Sequence, residues 1–373
     1  MEKKKILEIN KRYFPYIGGV ERVVQQIAEG LAEDLDMTVL ACSTEKHKED
    51  YIREGVHVIK VPSIGTWGKS LPIPIGLIRE VRKQAKKQDV IHLHMPFPFG
   101  DIACLCSGFR GKIVLWWHSD VVRQKKMMHF YKPVMKRMLE RADVIVVANE
   151  GLIEGSDYLK DYREKCTIVP FGVEKRIEKI ADNYIAQQTE FKHNRTKRIR
   201  FLFVGRLVYY KGCKVLLDAF RQVPDAELVM VGTGTMDQDL KETVASYGIE
   251  NRVTFLGKVT EEELCEQYKL CDVFILPSVV KSEAFGLVQI EAMAFGKPVI
   301  NTALPSGVPY VSIDGETGLT VPVENSEALA KAMRWMTEHE EERIEMGRRA
   351  RKRVEEKYRF QMMIDALKKV YEE

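Results

Sequence analysis

Short runs of β-branched and other apolar residues alternate with amphipathic helical segments along most of this 373-residue chain. Runs typical of buried strands begin with KILEIN at residues 5–10, recur as DVIHLH at 89–94 and KIVLWW at 112–117, and reach CTIVPFG at 166–172. Parallel strands need a long connection, usually a helix, so this alternation favours parallel strands joined by crossover helices. The sequence therefore predicts a doubly wound α/β fold for this half of the chain.

The alternation is interrupted once and then resumes. Residues 174–198 are polar and lack β-branched runs, so we interpret them as a linker with a short helix. Strand-like runs resume with IRFLFVG at 199–205 and continue to GLTVP at 318–322. Because 373 residues favour more than one domain, we predict two Rossmann-like α/β domains that face a cleft. The predicted boundaries are 1–175 for the N-terminal domain, with the C-terminal helix 356–373 packing back on it, 176–198 for the linker, and 199–355 for the C-terminal domain.

Composition argues against several classes of protein. The net charge of +4 gives no indication of the concentrated basic surface of nucleic-acid binders, so we expect no nucleic-acid partner. No apolar run approaches the roughly 20 residues that cross a bilayer. The opening MEKKKILEINKRY does not have the pattern of a secretory signal, which favours a cytoplasmic location. The seven cysteines lack C-x-x-C spacing, so we interpret them as reduced core residues rather than zinc ligands.

Two patterns resemble metal sites, and we predict a metal at neither. VIHLHM places His92 and His94 on the same side of a predicted strand, but no third ligand is evident in the sequence. The carboxylates of DQD, Asp237 and Asp239, open a predicted helix, where acidic residues are favourable without any ion. We therefore expect no metal and no cofactor beyond the substrates.

The stretch SEAFGLVQIEAMAFGKPVI, residues 282–300, contains two glutamates in an apolar setting. Its spacing predicts a loop, a helix, a glycine stop and a buried strand. Glu283 precedes the helix, and Glu291 lies inside it, where a carboxylate needs a partner. At 1.5 Å rise per residue, the two would lie about 12 Å apart along a continuous helix. This is the scale of a diphosphate that carries a sugar at each end, although a core role for Glu291 and a solvated role for Glu283 remain the alternative.

Other predicted strands of the same half also end in residues suited to an anion. Arg206 and Lys211 follow FLFVG, Gly232 ends LVMVG and Gly234 follows it, and Val259 follows VTFLG. Because ligands of parallel sheets bind beyond the carboxyl ends of the strands, we expect these loops to converge. The two cations and the helix N-terminus at Phe285-Gly286-Leu287 would then form a cradle for a diphosphate.

These motifs together resemble those of a known family. EAFGLVQIE has the E-x7-E spacing of retaining glycosyltransferase family 4, which has the GT-B fold. YIGGVE at 16–21, the segment GRLVYYKG, the turn VGTGT and DGETGLTVP at 314–322 also match that family in order. The resemblance covers essentially the whole chain and implies a nucleotide-sugar donor held mostly by the second domain.

The resemblance also implies a role for each matching residue. Glu283 would contact hydroxyls of the transferred sugar, and Glu291 would bind the nucleotide ribose. Arg206 and Lys211 would stabilise the departing diphosphate. The remaining implied contacts are the backbone amides of Phe285, Gly286 and Leu287 with sugar and phosphate, Val259 with the base, Gly18 and Gly19 in a loop over the diphosphate, and His118 with the donor sugar across the cleft.

The sequence departs from the family pattern in places that blur the choice of donor. Ser306 and Tyr310 stand where glycine and glutamate are common, and Ala284 stands where glycine is frequent. The segment LWWHSDVVRQKKMMHFYKPVMKRMLERAD is most similar to enzymes of cell-surface polysaccharides, mannosyltransferases among them. We therefore favour GDP-mannose as donor over a UDP-hexose, with a saccharide or lipid-linked saccharide as acceptor. Asp120 is a candidate for orienting His118 or for binding the acceptor.

Basic and apolar residues are interleaved in two predicted helices of the first domain, at 75–88 and 121–141. Such faces suit an anionic membrane or a lipid phosphate, so we expect peripheral contact with the inner face of the membrane. A solvated helix face over an apolar core is the alternative.

The alternative to a glycosyltransferase on the same two-domain fold is a nucleotide-sugar epimerase or isomerase. A nucleotide-sugar epimerase or isomerase would share the diphosphate cradle but would need acid–base pairs around the sugar ring. A dinucleotide-dependent oxidoreductase would need G-x-G-x-x-G after the first strand, and YIGGVE lacks that spacing. A binding module without activity would have no use for both cations and both glutamates.

Overall fold

The structure is a computed structural model that describes residues 2–16, 18–67, 71–121, 125–187 and 198–373. The chain divides into two compact units with discontinuous boundaries. Unit 1 comprises Met1–Ala148, Ser156–Val169 and Met363–Glu373, and unit 2 comprises Asn149–Gly155 and Pro170–Met362.

Unit 1 contains one sheet with helices from the crossover connections. Its strands are β1 (Lys5–Ile9), β2 (Asp36–Ser43), β3 (Glu49–Arg53), β4 (Val56–Trp67), β5 (Leu71–Pro74), β6 (Val90–Met95), β7 (Lys112–Trp117), β8 (Val144–Val147) and β9 (Cys166–Ile168). Its helices before β8 are α1 (Gly19–Leu31), α2 (Leu77–Ala85), α3 (Pro98–Leu105) and α4 (Lys125–Arg141). The strand order is β3-β4-β2-β1-β6-β7-β8-β9, and β5 pairs with β4. The central strands β1, β6 and β7 are parallel, as predicted, and they are mostly apolar and buried.

Two strands that pair with β4 in antiparallel fashion, β3 and β5, were not predicted from the sequence. β3 has the sequence EDYIR, in which half-buried and exposed positions alternate, so it lacks an apolar run. β5 has the sequence LPIP, and two prolines within four residues argue against a strand except at an edge.

Unit 2 contains a second sheet, in which every neighbouring pair of strands is parallel. Its helices are α5 (Glu150–Glu154), α6 (Lys175–Gln187), α7 (Cys213–Phe220), α8 (Asp237–Ser246), α9 (Glu261–Leu270), α10 (Leu287–Ala294), α11 (Val308–Val311), α12 (Ser326–Glu338) and α13 (Glu340–Lys357). Its strands are β10 (Ile199–Val204), β11 (Ala226–Val231), β12 (Val253–Gly257), β13 (Val273–Leu276), β14 (Val299–Thr302) and β15 (Gly318–Val321), in the order β12-β11-β10-β13-β14-β15. Phe201, Phe203 and Met230 of the sheet pack with Leu217 and Met333 in its core. Each unit is thus a Rossmann-like α/β sheet, as predicted.

The last helix, α14 (Phe360–Glu372), begins in unit 2 and continues into unit 1. In unit 1, Lys368 Nζ pairs with Asp34 Oδ2 at 2.8 Å, and Tyr371 is fully buried. These contacts place residues 363–373 with the N-terminal sheet.

The segment 176–198, predicted to be a linker, contains most of α6, which belongs to unit 2. Asp182 on α6 accepts from Arg351 Nη2 at 2.5 Å and from Arg359 Nη1 at 2.7 Å. This association could not be predicted from the sequence, because the charged face of α6 resembles a solvated linker and its ion-pair partners lie much later in the chain. Residues 188–197 lie outside the described part of the chain.

We expect Asp182→Asn to destabilise unit 2 by about 1 kcal/mol, the scale of a partly solvated ion pair. Burial raises the pKa of the Asp182 carboxyl, but hydrogen bonds from Arg351 and Arg359 outweigh that effect and hold the pKa below its usual value. A carboxyl whose pKa is lower in the folded protein than in the unfolded chain stabilises the fold at pH values above the unfolded-state pKa of 3.8. This stabilisation is lost as the pH falls through the folded-state pKa. Chemical unfolding of wild type and variant should therefore differ at pH 7 and converge in acid. The exposed Asp225→Asn variant is the control, and a difference that persists in acid would contradict the assignment.

The seven cysteines are all free thiols. Five are buried, as predicted, but Cys106 is exposed and Cys166 is half-buried, so the core assignment was wrong for these two. Within the described ranges, the helices are all too short or too polar to cross a membrane.

Candidate functional site

Four neighbouring strands of unit 2 carry the residues singled out in the sequence. β12, β11, β10 and β13 are consecutive in the sheet and parallel, so their carboxyl ends lie along one edge. Backbone hydrogen bonds join the loops that follow them: Leu207 N donates to Thr233 O at 3.0 Å, and Val279 N donates to Tyr210 O at 2.8 Å. The loops are therefore held against one another before any ligand binds.

Lys211 and Glu283, from the loops after β10 and β13, form an ion pair. Lys211 Nζ lies 2.5 Å from Glu283 Oε2, and Ser278 Oγ donates to the same oxygen at 3.1 Å. The two side chains are only 12% and 11% exposed, so water screens the pair weakly. The alternative of a solvated Glu283 is therefore wrong. The pairing also means that Lys211 is not an isolated cation.

The turn before α7 positions the Lys211 side chain. Tyr209–Lys211 forms a single 3₁₀ turn that ends at Gly212, whose φ is +70°. A Cβ at Gly212 would collide with the carbonyl oxygen of Pro277 in the loop after β13. The close approach of these two backbones brings the Lys211 side chain within reach of Glu283.

Arg206 lies in the loop that follows β10, and its side chain is exposed. Its Nη2 donates to the Tyr210 hydroxyl at 2.7 Å. A guanidinium carries five N–H donors, so this bond orients the side chain and leaves capacity for phosphate oxygens.

The N-terminus of α10 has the geometry expected of an anion-binding helix end. Gly286 precedes the helix with φ +74°, and no side chain caps it. Phe285 is buried, and its ring lies 5.0 Å from that of Phe171 and 5.9 Å from that of Tyr358. These ring contacts anchor the loop, so that the backbone amides of Phe285, Gly286 and Leu287 begin the helix at a fixed place.

The predicted separation of Glu283 and Glu291 along one continuous helix was wrong. α10 begins at Leu287, so Glu283 lies in the preceding loop and only the four steps from Leu287 to Glu291 rise along the helix. Their rise is about 6 Å rather than 12 Å. The left-handed conformation of Gly286 breaks the continuity that the estimate assumed.

We expect Gly286→Ala to weaken binding of nucleoside diphosphate and to lower stability by roughly 1–3 kcal/mol, as strained backbone does. An alanine would have to keep φ near +74°, and its Cβ would lie 2.5 Å from Leu276 Cδ2. Calorimetric titration with GDP or UDP and thermal unfolding measure the two effects. Gly315 also has a positive φ, but a Cβ there meets no atom within 4 Å, so Gly315→Ala is the control. Equal nucleotide affinity in both variants would contradict the role of Gly286.

Glu291 is buried inside α10, and its Oε2 accepts from the Tyr268 hydroxyl at 2.7 Å. This is the core hydrogen bond of the alternative interpretation, and the ribose contact remains a prediction. Val259 follows β12 and is half-buried. Asp237 and Asp239 open α8, where they pair with Lys241 at 2.6 Å and Lys214 at 2.9 Å.

The residues predicted in unit 1 follow β1 and β7. Gly18 immediately precedes α1, and Gly19 is its first residue. His118 follows β7 and is buried, and its backbone N donates to Met95 O at 3.1 Å. Asp120 accepts from Ser156 Oγ at 2.7 Å and from Asp157 N at 3.0 Å, so its carboxylate holds a neighbouring segment of the chain.

His118 belongs to a buried cluster with His94 and Glu8 that was not predicted from the sequence. His94 Nδ1 lies 2.8 Å from His118 Nε2, and His94 Nε2 lies 2.7 Å from Glu8 Oε1. Glu8 is thus the third group that was not evident beside His92 and His94. Burial raises the pKa of Glu8 well above its usual range and lowers the pKa of His94 and His118 well below theirs. Burial also lowers the pKa of His92 to about 3.

Several partners of the predicted residues were missed. Ser278 bonds Glu283, Tyr210 bonds Arg206, and Tyr268 bonds Glu291. Tyr210 lies in the quoted segment GRLVYYKG, and Glu8 is an acidic residue in an apolar strand, so both left a signal in the sequence. Ser278 and Tyr268 left none. Ser278 lies in the same loop as Glu283 and becomes its partner only through the conformation of that loop, whereas Tyr268 on α9 meets Glu291 on α10 only through tertiary packing.

Comparison with known proteins assigns the chain to a family. Residues 17–176 match the family described as Glycosyltransferase Family 4, and residues 186–353 match that described as Glycosyl transferases group 1. D-rhamnosyltransferase WbpZ of Pseudomonas aeruginosa is 35% identical over 94% of this chain and 91% of its own. O-antigen chain mannosyltransferase C of Escherichia coli is 30% identical over 98% of both chains. Neither name supports the epimerase alternative.

Solved structures share the fold at low sequence identity. Anabaena Alr3699/HepE, solved in complex with UDP, superposes with a TM-score of 0.78 and 18% identity, covering 98% of this chain and 99% of that one. Sucrose-phosphate synthase from Thermosynechococcus elongatus superposes with a TM-score of 0.77 and 22% identity, covering 99% of this chain and 98% of that one. The two Rossmann-like units, the family matches and these relatives agree: the chain belongs to glycosyltransferase family 4 and is a glycosyltransferase of the GT-B fold.

Proposed function

We propose that this glycosyltransferase moves a hexose from a nucleotide-diphosphate sugar to a saccharide or lipid-linked saccharide during synthesis of a cell-surface polysaccharide, with retention of the anomeric configuration. The similarity to an O-antigen mannosyltransferase and a D-rhamnosyltransferase supports the polysaccharide context. It also favours mannose among the hexoses. A protein of the same fold binds UDP, so a UDP-hexose is the second candidate after GDP-mannose.

The observation that carries the proposal is the weakly screened pair of Lys211 and Glu283 beside the N-terminus of α10. A cation and free helix amides attract the diphosphate, whereas a carboxylate accepts hydroxyl donors of a sugar. Their contact at 2.5 Å sets the two functions side by side, as a diphosphate linked directly to a sugar requires.

In the proposed reaction, the bond between the anomeric carbon and the donor's phosphate oxygen breaks, and its electron pair stays on that oxygen. The acceptor hydroxyl forms a bond to the anomeric carbon on the same face, and its proton passes to the departing phosphate. Negative charge grows on the diphosphate in the transition state, where Arg206, Lys211 and the α10 amides bind it more strongly than in the intact donor. Glu283 holds sugar hydroxyls and forms no covalent intermediate.

The remaining residues have proposed contacts with the same donor. Glu291 binds the ribose and Val259 the base. In unit 1, Gly18 and Gly19 contact the diphosphate and His118 contacts the transferred sugar. Neither a metal nor a cofactor is assigned to the reaction, so excess EDTA should leave the rate unchanged.

We propose further that the enzyme is cytoplasmic and contacts the inner face of the membrane through unit 1. A cavity of about 420 Å³ is lined by α2 and α3, with Ile78, Phe99 and Ile102 beside Arg79 and Arg82. There the exposed Ile78 and the half-buried Phe99 and Ile102 adjoin exposed arginines, as suits an anionic lipid or the lipid of an acceptor. Co-sedimentation with phosphatidylglycerol vesicles but not with phosphatidylcholine vesicles would support this contact, and equal recovery with both would refute it. Residues 122–124 of the basic segment 121–141 lie outside the described chain.

Transfer of radiolabelled sugar tests the activity. GDP-mannose and UDP-glucose are each incubated with the enzyme and a mannose-terminated oligosaccharide on a hydrophobic aglycone, and the products are separated by chromatography. We expect labelled product from GDP-mannose, with the anomeric configuration of the donor. Product from UDP-glucose alone would overturn the choice of donor. A free epimerised nucleotide sugar without transfer would overturn the proposed function.

A further inference from the structure

Glu8, His94 and His118 form a continuous line of contacts in the interior of unit 1. They lie on or after β1, β6 and β7, which are adjacent in the sheet. Glu8 Oε1 and His94 Nε2 are 2.7 Å apart, and His94 Nδ1 and His118 Nε2 are 2.8 Å apart. All three are buried, and the most exposed of them is His118, at 7%. Both nitrogens of the central ring are therefore engaged in hydrogen bonds.

The rings in this line are held in place by stacking. Trp116 on β7 stacks on His94 with ring centroids 6.1 Å apart and an angle of 14°, and on His118 at 5.9 Å and 9°. This packing keeps the imidazole rings from rotating out of the line. The relative positions of the nitrogens are consequently fixed by the sheet.

Hydrogen bonding is a better account of the cluster than metal binding. Glu8, His92 and His94 lie close enough for one ion. Two atoms bound to a common zinc ion, each about 2.1 Å from it, usually lie roughly 3 Å or more apart. The 2.7 Å separation of His94 Nε2 and Glu8 Oε1 is instead that of a hydrogen bond with a charged or strongly polar partner.

The line couples the proton on Glu8 to the proton on His118. A neutral imidazole has one N–H and one acceptor nitrogen. If Glu8 is a carboxylate, His94 Nε2–H donates to it, and His94 Nδ1 accepts from His118 Nε2–H. If Glu8 is an acid, it donates to His94 Nε2, His94 Nδ1–H donates to His118 Nε2, and the proton of a neutral His118 resides on Nδ1.

We propose that Glu8 and His94 are positioning residues that hold His118 as the Nδ1–H tautomer, with Glu8 as the neutral acid. His118 then presents a hydrogen-bond donor, suited to an oxygen of a sugar, at the nitrogen turned away from His94. The catalytic consequence rests on the proposed contact between His118 and the transferred sugar, whereas the tautomer does not depend on that contact.

The surroundings favour the neutral arrangement. Burial raises the pKa of Glu8, and the same burial disfavours an imidazolium at His94 or His118. Lys11 and His92 act on His118 in the same direction. His92, whose Nδ1 lies 3.9 Å from Glu8 Oε1, is also neutral at pH 7, because burial lowers its pKa to about 3. Tyr13 and Tyr371 interact with Glu8 as well, and burial raises the pKa of both, so they stay neutral. A carboxylate at Glu8 would be buried beside neutral rings with little compensation.

The tautomer can be measured directly in the full-length protein. Nitrogen-15 spectra of histidine-labelled enzyme distinguish Nδ1–H from Nε2–H, and the signals missing from His118→Gln identify His118. We expect His118 as Nδ1–H at pH 7, with conversion to Nε2–H at alkaline pH as Glu8 ionises. In Glu8→Gln, which cannot ionise, this conversion should be absent, whereas the exposed Glu33→Gln control should convert like wild type. His118 as Nε2–H at pH 7, or the same conversion in Glu8→Gln, would overturn the proposal.

Activity provides a second measurement that a purely structural role would not affect. Glu8→Gln should keep kcat near the wild-type value at pH 7 and extend activity to higher pH. Glu8→Leu should lower kcat about tenfold to 100-fold with little change in KM, the usual scale for a group that orients a functional one. If Glu8→Leu fails to fold, the pH dependence of activity in Glu8→Gln still tests the proposal. A loss of activity at alkaline pH that is the same in Glu8→Gln as in wild type would contradict it. Absence of sugar transfer in wild type and in every variant, with the expected spectra, would refute the proposed function and leave the tautomer assignment standing.

Discussion

Replacing Glu283 with glutamine is expected to reduce kcat for sugar transfer by about 100-fold to 1,000-fold, the range for loss of one preorganised polar group in an active site. Glutamine has the same shape but no charge, so it weakens both the hydrogen bonds to sugar hydroxyls and the contact with Lys211 at 2.5 Å. Because Glu283 is assigned to the sugar, affinity for free nucleoside diphosphate should change little. Initial rates with labelled donor and calorimetric titration with GDP measure the two quantities.

The matched control for this variant is Glu316→Gln, an exposed glutamate in the same unit. It should retain wild-type rates. A Glu283→Gln enzyme with wild-type kcat would remove the assignment, and one that lost GDP affinity in proportion to its rate would move Glu283 from the sugar to the nucleotide.

The second large effect is expected for Lys211→Met, which should lower kcat at least about 100-fold and also weaken binding of GDP. The ammonium is proposed to stabilise charge that develops on the departing diphosphate. Its removal also leaves the weakly exposed Glu283 carboxylate without its cationic partner and bonded to the Ser278 hydroxyl. Loss of one partner from a buried pair is destabilising, here by about 1–3 kcal/mol because both side chains keep some contact with water.

A double variant separates catalysis from stability. In Lys211→Met with Glu283→Gln, no unpaired charge remains, so thermal stability should recover relative to Lys211→Met alone while transfer stays low. Lys214→Met is the control, because Lys214 pairs with Asp239 on the exposed surface nearby. Recovery of transfer along with stability would mean that the pair maintains structure only.

Several features of the site were predictable because they depend on local patterns. The apolar runs of β10 and β13 specify buried strands, and parallel strands end on one edge, so Arg206, Lys211 and Glu283 had to follow strand ends. Glycine at 286 before an apolar run predicted the start of α10.

Other features could not be predicted from such patterns. The direct pairing of Lys211 with Glu283 required β10 and β13 to be neighbours, which no local pattern specifies. The burial of Glu8 against His94 likewise followed from the adjacency of β1 and β6. The membership of α6 in unit 2 depended on Arg351 and Arg359, residues far along the chain.

By itself, the sequence determined the two α/β sheets, the family and the kinds of side chain at the strand ends, since backbone sterics and the spacing of apolar residues act over short distances. Only the tertiary structure decided which charged and titratable groups meet. That outcome depends on strand order and on the exclusion of water, because electrostatic and hydrogen-bonding partners are set by distance in space rather than along the chain.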